Sequence, residues 1–320
     1  MKDLISVVVP CYNESASLPK FMEVLDGIVN KMNNVDFQVI LVNDGSKDNT
    51  LQVMKNITVE YPYVKYISFS RNFGKEAAMY AGLYHADGDY VAVMDADLQD
   101  PPEFLLEMYE AVKDGGYDCA AARRVSRKGE PPIRSFFARM FYKLMEKVSV
   151  TEVVDGARDF RLMKRKVVDA LLECKEYNRF SKGMFGWVGF KTKWIEYENV
   201  ERVAGETKWN FWSLFKYSIE GIVAFSTTPL TFASFLGLFF CVIAFLAIIL
   251  IMVRKFIFGD PVAGWPSLAC IIVFIGGLQL FFMGVFGQYL AKSYLEVKNR
   301  PIYIVDETDM EGKEGVKYGR

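Results

Sequence analysis

Two stretches of this chain carry no charged side chain at all, residues 226–253 and residues 265–291. A helix rises about 1.5 Å per residue, so each would outspan the roughly 30 Å hydrocarbon core of a bilayer. The loop between them carries two basic residues, Arg254 and Lys255, against Lys208, Lys216, Lys292, Lys298 and Arg300 on the outer flanks. Because basic flanks stay on the cytoplasmic side, both ends are expected in the cytoplasm. The expected organisation is a cytosolic domain over 1–208 and an amphipathic juxtamembrane helix over 209–225. A transmembrane hairpin of 226–253 and 265–291 follows, and then a cytosolic polar tail over 292–320, expected to be mobile after Pro301. Such a chain is a multi-pass protein of the inner or plasma membrane.

The first half has a different rhythm. Residues 5–10, 38–43, 64–70 and 90–95 are short runs rich in Val, Ile and Tyr, each followed by Asn, Asp, Gly or Arg. Helical patterns fill 16–31, 48–60 and 75–86 between them. Near-continuous apolar strands alternating with helices predict the α/β class, a Rossmann-like and mostly parallel sheet covered on both faces. Ligands of such sheets bind beyond the carboxyl ends of the strands, so the polar residues after these runs should share one cleft. Farther on, Ile133, Phe136, Phe137, Met140, Phe141, Leu144 and Val148 recur at helical spacing beside a basic row of Arg139, Lys143 and Lys147. That pattern suits a helix lying on an anionic membrane surface, and a core helix fits it too.

Charge and composition remove several classes of function. Lys plus Arg number 38 against 39 Asp plus Glu, so there is no net positive field to hold a nucleic acid. With 52% apolar and 24% charged residues, the chain is not disordered. His85 is the one histidine, which rules out His-based triads and multi-His metal sites. A metal here must therefore sit on oxygen ligands. Cys11, Cys119, Cys174, Cys241 and Cys270 show no CxxC spacing and read as buried thiols of a reducing compartment. The N-terminus runs into a strand by Leu4, without the leader pattern of a signal peptide.

The sharpest chemical signal is YVAVMDADLQDPPE, residues 90–103. A strand ending at Asp95, with Asp97 and Gln99 two and four residues on, offers two carboxylates and an amide oxygen. That is a hard-oxygen set for Mg²⁺ or Mn²⁺, with a diphosphate supplying further ligands. Alternatively, Asp97 or Asp100 caps the helix that Pro101 and Pro102 open. The other strand ends read PCYNE (10–14), NDGSKDNT (43–50) and SRNFGKEAAMYAG (70–82). Taken singly, these are turns and caps. In the last, Arg71 and Lys75 can face phosphate, and Gly74 permits close approach of backbone.

Taken together and in this order, the four segments resemble family 2 glycosyltransferases. Within them the chain is similar to the polyprenyl-phosphate branch, which holds the bactoprenol glucosyltransferases and dolichol-phosphate mannose synthases. The resemblance runs over the whole chain and implies a GT-A type catalytic domain. It also implies roles. Pro10, Tyr12, Glu14 and Asp44 would line the nucleoside pocket, with Arg71, Lys75 and Asp95 completing the donor site. Asp95, Asp97 and Gln99 would hold Mg²⁺ or Mn²⁺. Asp159, inside GARDFRLM (156–163), stands where the family keeps its acceptor-side carboxylate, which makes Asp159 and Asp97 the catalytic candidates. Processive polysaccharide synthases of the family carry a Q/RxxRW motif; here RVAGETKWNF (202–211) stands instead, which argues against polymer synthesis.

The acceptor has its own signal. Arg123, Arg124, Arg127, Lys128 and Arg134 crowd into residues 123–134, either as a solvated loop or as a clamp for a lipid phosphate. The expected acceptor set is Arg123, Arg134, Ser135 and Lys208. The expected reaction is the inverting transfer of one sugar, glucose from UDP-glucose first, to polyprenyl (undecaprenyl) phosphate. Alternatives are a modified sugar, such as an amino-arabinose derivative, an N-acetylhexosamine or mannose, and a scaffold that binds nucleotide sugar without turnover. A nucleotidyltransferase would need a Gly-rich phosphate loop after the first strand, and PCYNES has no glycine. Gly276, Gly277, Gly284 and Gly287 offer a small-residue face, either for a homo-oligomer or for packing within the hairpin.

Overall fold

In β1 (Asp3–Cys11) every residue from Ile5 onward is buried, as a strand must be when helices cover both faces of its sheet. The computed structural model describes residues 2–125, 154, 156–198, 228–258 and 264–310. After β1 the chain alternates α1 (Leu18–Val29), β2 (Val35–Asn43), α2 (Thr50–Glu60), β3 (Val64–Phe69), α3 (Lys75–His85), β4 (Tyr90–Val93) and α4 (Phe104–Lys113). Then come β5 (Cys119–Arg124), β6 (Ala157–Lys164), α5 (Arg165–Glu173), α6 (Ser181–Trp187) and β7 (Thr192–Tyr197). Two long helices, α7 (Thr228–Phe258) and α8 (Trp265–Val297), precede β8 (Val305–Thr308).

The strands form one sheet in the order β7-β5-β6-β4-β1-β2-β3-β8. β1 pairs in parallel with β2 and β4, and β2 with β3. β6 and β8 run against the rest, so the sheet is mixed but mostly parallel. Side chains alternate across it. Ile5, Val7 and Val9 join a core with Leu18, Phe21 and Leu25 of α1, Met54 of α2 and Leu105 and Met108 of α4. Val8 points the other way, onto α3. The predicted strands are all present, although β4 ends at Val93, two residues before Asp95.

The chain divides into two compact units, Met1–Ala224 with Asn299–Arg320, and Phe225–Lys298. In the second unit α7 and α8 are longer than the uncharged stretches, reaching Phe258 and Val297. Their large apolar side chains face outward: Phe235, Leu250, Leu280 and Met283 are each more than 60% exposed. Among the described residues Phe274–Val297 is long and apolar enough to cross a membrane. The helices touch where Phe240 meets the edge of Phe274, with centroids 5.8 Å apart.

The tail corrects the sequence expectation. Residues 301–310 were expected to be mobile, yet Ile302 and Tyr303 are buried and β8 pairs antiparallel with β3. The stretch carries charges at Asp306, Glu307 and Asp309, but Ile302 and Tyr303 enter the core and its backbone completes a sheet edge. The amphipathic segments 133–148 and 209–225 lie outside the described residues.

Gly82 of α3 sits directly on β1. A Cβ there would come within 2.0 Å of Val8 Cγ1. Glycine inside a helix usually costs about 1 kcal/mol relative to alanine, so propensity alone favours Gly82→Ala. Overpacking costs about 1–3 kcal/mol, and at this separation it wins. Gly82→Ala should therefore lower the melting temperature by several degrees. Melting at or above the wild-type temperature would show that α3 can move off the sheet.

Candidate active site at the carboxyl ends of the strands

Four loops leave the carboxyl ends of β1 to β4, and side chains tie each to the next. The first and second are cross-stapled. Asn13 N donates to Ser46 Oγ (2.9 Å), Lys47 N to Asn13 Oδ1 (2.8 Å), Glu14 N to Thr50 Oγ1 (2.8 Å) and Ser15 Oγ to Asp48 Oδ2 (2.7 Å). Asn13 adopts φ 56°, a left-handed conformation that asparagine tolerates well. The residues read singly as turns and caps thus weld the PCYNE and NDGS loops into one wall.

Asp44 joins the second loop to the third. It is buried, and its carboxylate accepts from Phe73 N (2.6 Å) and Gly74 N (3.0 Å). Burial raises its pKa, while the two amides oppose the shift. Next to it Gly45, at φ 60°, lies so close to the third loop that a Cβ would meet Arg71 C at 2.3 Å. Only glycine fits there.

The centre of the site is Lys75, the first residue of α3. Its Nζ lies 2.6 Å from Asp95 Oδ1 and 2.6 Å from Asp159 Oδ2. The register explains the meeting. β4 and β6 pair antiparallel with Val93 opposite Arg161, and extending that register by two residues sets Asp95 opposite Asp159. Burial works against the charge of Lys75, but Asp159 and then Asp95 outweigh it and raise the ammonium pKa. Burial likewise disfavours the Asp159 carboxylate, but Lys75 and then Lys182 hold its pKa below the ordinary range. Asp159 is therefore ionised throughout the neutral range.

A second ion pair buttresses the first from the other face of β6. Arg158 Nε donates to both carboxylate oxygens of the buried Asp100 (2.8 and 3.1 Å), and the Tyr197 hydroxyl donates to the same carboxylate. Asp100 is thus no helix cap. Residue Glu103 occupies that position, with no side-chain cap bond. Sequence reading missed Arg158, Asp100 and Tyr197. The available signal was strand alternation: in GARDFRLM, Arg158 and Asp159 are adjacent and must face opposite sides of the sheet. Arg161, on the Asp159 side, is buried with its guanidinium 3.3 Å from the Phe185 ring centroid.

The remaining expected residues are distributed as follows. Pro10 is buried one residue before the end of β1, and Tyr12 is half-buried just after the strand. Glu14 accepts from Ser17 Oγ at 2.5 Å. Arg71 is exposed and lies over the Phe73 ring at 4.0 Å. Arg123, on β5, pairs with Glu196 of β7 at 3.2 Å. Arg134, Ser135 and Lys208 lie outside the described residues.

For a metal, Asp95 and Asp97 follow β4 directly, and Gln99 N donates to Asp97 Oδ1 at 3.2 Å. No group of three acidic, Cys or His side chains suited to a metal occurs among the described residues. A two-carboxylate set fits Mg²⁺ or Mn²⁺, cations that commonly take one or two protein carboxylates and complete their shell with phosphate oxygens and water. The carboxylates already attract a cation, since the Lys75 ammonium rests on Asp95.

The Lys75 pair generates a pH prediction. A carboxyl whose pKa falls on folding stabilises the protein above its unfolded pKa of about 4, and that contribution fades as pH drops through the folded value. Lys75→Met removes the cation responsible. The variant should melt a few degrees below wild type at pH 7, and the gap should close below about pH 4 as the carboxyls protonate. A gap independent of pH would mean that Lys75 acts by packing alone.

Comparison with known proteins shows the family. The family model described as glycosyl transferase family 2 matches residues 6–172. The SfII prophage-derived bactoprenol glucosyl transferase of Shigella flexneri is 41% identical over 304 residues, covering 95% of this chain and 98% of its own. The prophage bactoprenol glucosyl transferase homolog of Escherichia coli K12 is 40% identical over 301 residues, covering 94% and 98%. Among solved structures, the Mycobacterium tuberculosis glucosyl-3-phosphoglycerate synthase, in complex with Mn²⁺ and UDP-glucose, aligns with a TM-score of 0.44 at 19% identity. That alignment covers 69% of this chain and 77% of the synthase. With the family's model spanning more than half of its length, and relatives about 40% identical from end to end, this chain belongs to the family 2 glycosyltransferases.

Proposed function

We propose that this protein moves a single sugar, with inversion, from a nucleotide diphosphate to a polyprenyl phosphate at the cytoplasmic face of a membrane. UDP-glucose and undecaprenyl phosphate are the first donor and acceptor to try. The observation that carries this reading is the extent of the likeness. Identity of 41% with a bactoprenol glucosyl transferase covers 95% of the chain, so it includes the apolar helices as well as the catalytic domain.

The chemistry fits the site. In the reaction an oxygen of the lipid phosphate attacks the anomeric carbon, the bond from that carbon to the diphosphate breaks, and the nucleoside diphosphate leaves. Mg²⁺ or Mn²⁺ on Asp95, Asp97 and Gln99 would supply charge neutralisation at the leaving diphosphate. Pro10, Tyr12, Glu14 and Asp44 belong to the stapled wall that would receive the nucleoside, with Arg71 and Lys75 toward its phosphates. A phosphomonoester has a second pKa of about 6 and is mostly dianionic at neutral pH, so this acceptor is already a nucleophile. Asp159 is correspondingly a poor general base, because Lys75 holds its pKa far below the neutral range where a base works best. Its role in this reading is to orient the acceptor and its cationic neighbours, with Arg123, Arg134, Ser135 and Lys208 receiving the phosphate.

Topology supports membrane residence on one side. Residues before and after the helical unit belong to the same compact unit, so a chain that leaves through one helix must return through the other. Two crossings meet that requirement and put 259–264 on the opposite side.

Two experiments test the proposal. Nucleotide sugars screened against undecaprenyl phosphate, with mass analysis of the lipid, should give a product heavier by one hexose. Asp97→Asn or EDTA should abolish the reaction, and added Mg²⁺ or Mn²⁺ should restore the EDTA-treated enzyme. Lipid left unmodified by every nucleotide sugar would refute the reading, and full activity in EDTA would remove the metal from it. Separately, Asp159→Asn should cut turnover by about 10²-fold or more with little change in either affinity, the pattern of a group that acts chiefly in the transition state. A selective rise in acceptor KM would instead make Asp159 a binding residue.

A further inference from the structure

The chain returns from α8 to the catalytic domain through residues 298–304, and it arrives at the third loop. Ser70 N donates to Ile304 O at 3.1 Å. Tyr303 is fully buried, stacked on Phe69 with centroids 4.9 Å apart and planes at 20°. It also meets Tyr80 of α3 at 6.4 Å, so the ring wedges between β3 and α3. Phe69 in turn meets Phe73 edge-on at 5.8 Å, and the Arg71 guanidinium covers the Phe73 ring. A continuous line of ring contacts therefore leads from Tyr303 through Phe69 and Phe73 to Arg71.

Farther along, β8 is fastened at the outer edge of the sheet. Tyr66 N donates to Asp309 Oδ1 and Thr308 Oγ1 to Tyr66 O, both at 2.7 Å, and Lys55 pairs with Glu307 at 2.6 Å. Those contacts hold the strand in place without touching the third loop. Tyr303 and Ile304, with Val305 paired to Phe69 at the end of β8, connect it to residues 69–73. The Tyr303 hydroxyl has no hydrogen-bond partner among the described residues, so the ring is held by its faces.

We propose that Tyr303 is a positioning residue for the donor-phosphate loop, residues 70–74. The segment that follows the apolar helices thereby helps to set the geometry of the donor site. Ordering a loop on binding costs conformational entropy, so a loop already fixed from behind binds its ligand more tightly. This rests on the reading of residues 70–74 as donor-binding, and the test separates the two.

The test uses the full chain in lipid nanodiscs and compares Tyr303→Ala, Tyr303→Leu and Tyr303→Phe with wild type. Tyr303→Ala should raise the KM for the nucleotide sugar about tenfold while changing kcat no more than about twofold, and should speed amide hydrogen exchange at 70–74. Tyr303→Leu serves in its place should the alanine variant fail to fold. Tyr303→Phe should match wild type on every measure, because the lost hydroxyl makes no hydrogen bond. Glu307→Ala, which breaks only the outer fastening, should leave the donor KM unchanged. Unchanged exchange at 70–74 in the alanine and leucine variants would overturn the proposal, as would a fall in kcat with KM unmoved. Should the wild type transfer no sugar, the proposed function fails and the exchange comparison alone decides the role of Tyr303.

Discussion

The Lys75 ammonium lies 2.6 Å from one carboxylate oxygen of Asp95 and 2.6 Å from one of Asp159, and three elements distant in sequence meet there. Without a cation between them, two carboxylates at the ends of neighbouring strands would repel, and one would take up a proton. With it, α3, the end of β4 and the start of β6 are drawn to one point. The same charge keeps Asp159 ionised. A site held together by fixed charges suits the phosphate acceptor proposed above, which would need no general base.

Around that point the loops form a chain of mutual support. Asn13, Ser15, Ser46 and Asp48 bind the first loop to the second. Asp44 binds the second to the third through the amides of Phe73 and Gly74, and Gly45 allows the backbones to touch. On the far face of β6, Arg158 and Asp100 anchor the fourth loop. Asp100 is buried and Arg158 half-buried, so removing Arg158 would leave a buried carboxylate without its cation. Residues that look like ordinary turn formers thus serve as the joints of a rigid wall, the kind of support that precise positioning of reactants requires.

The catalytic unit is discontinuous in sequence. Its last strand comes after the apolar helices, and β8 seals the β3 edge that would otherwise present unpaired backbone groups. Edge sealing explains why so short a segment orders: backbone hydrogen bonds to β3 and two buried residues, Ile302 and Tyr303, fasten it.

The sequence by itself determined the class of fold, because apolar runs of strand length alternating with helical periods have few packing solutions. It also pointed to the loops after β1 to β4, since ligands of such a sheet bind beyond the carboxyl ends of its strands. Asp95, Asp97 and Asp159 were legible through motif order. What the sequence left open was pairing across distance. That Lys75 would join Asp95 to Asp159 depends on the antiparallel register of β6 against β4, and no local pattern encodes that register. That Asp100 would bind Arg158 and Tyr197, not cap a helix, was decided by which face of β6 each side chain occupies. And residues 302–308 owe their place to an open sheet edge at β3 and a gap between Phe69 and Tyr80 that the ring of Tyr303 fills.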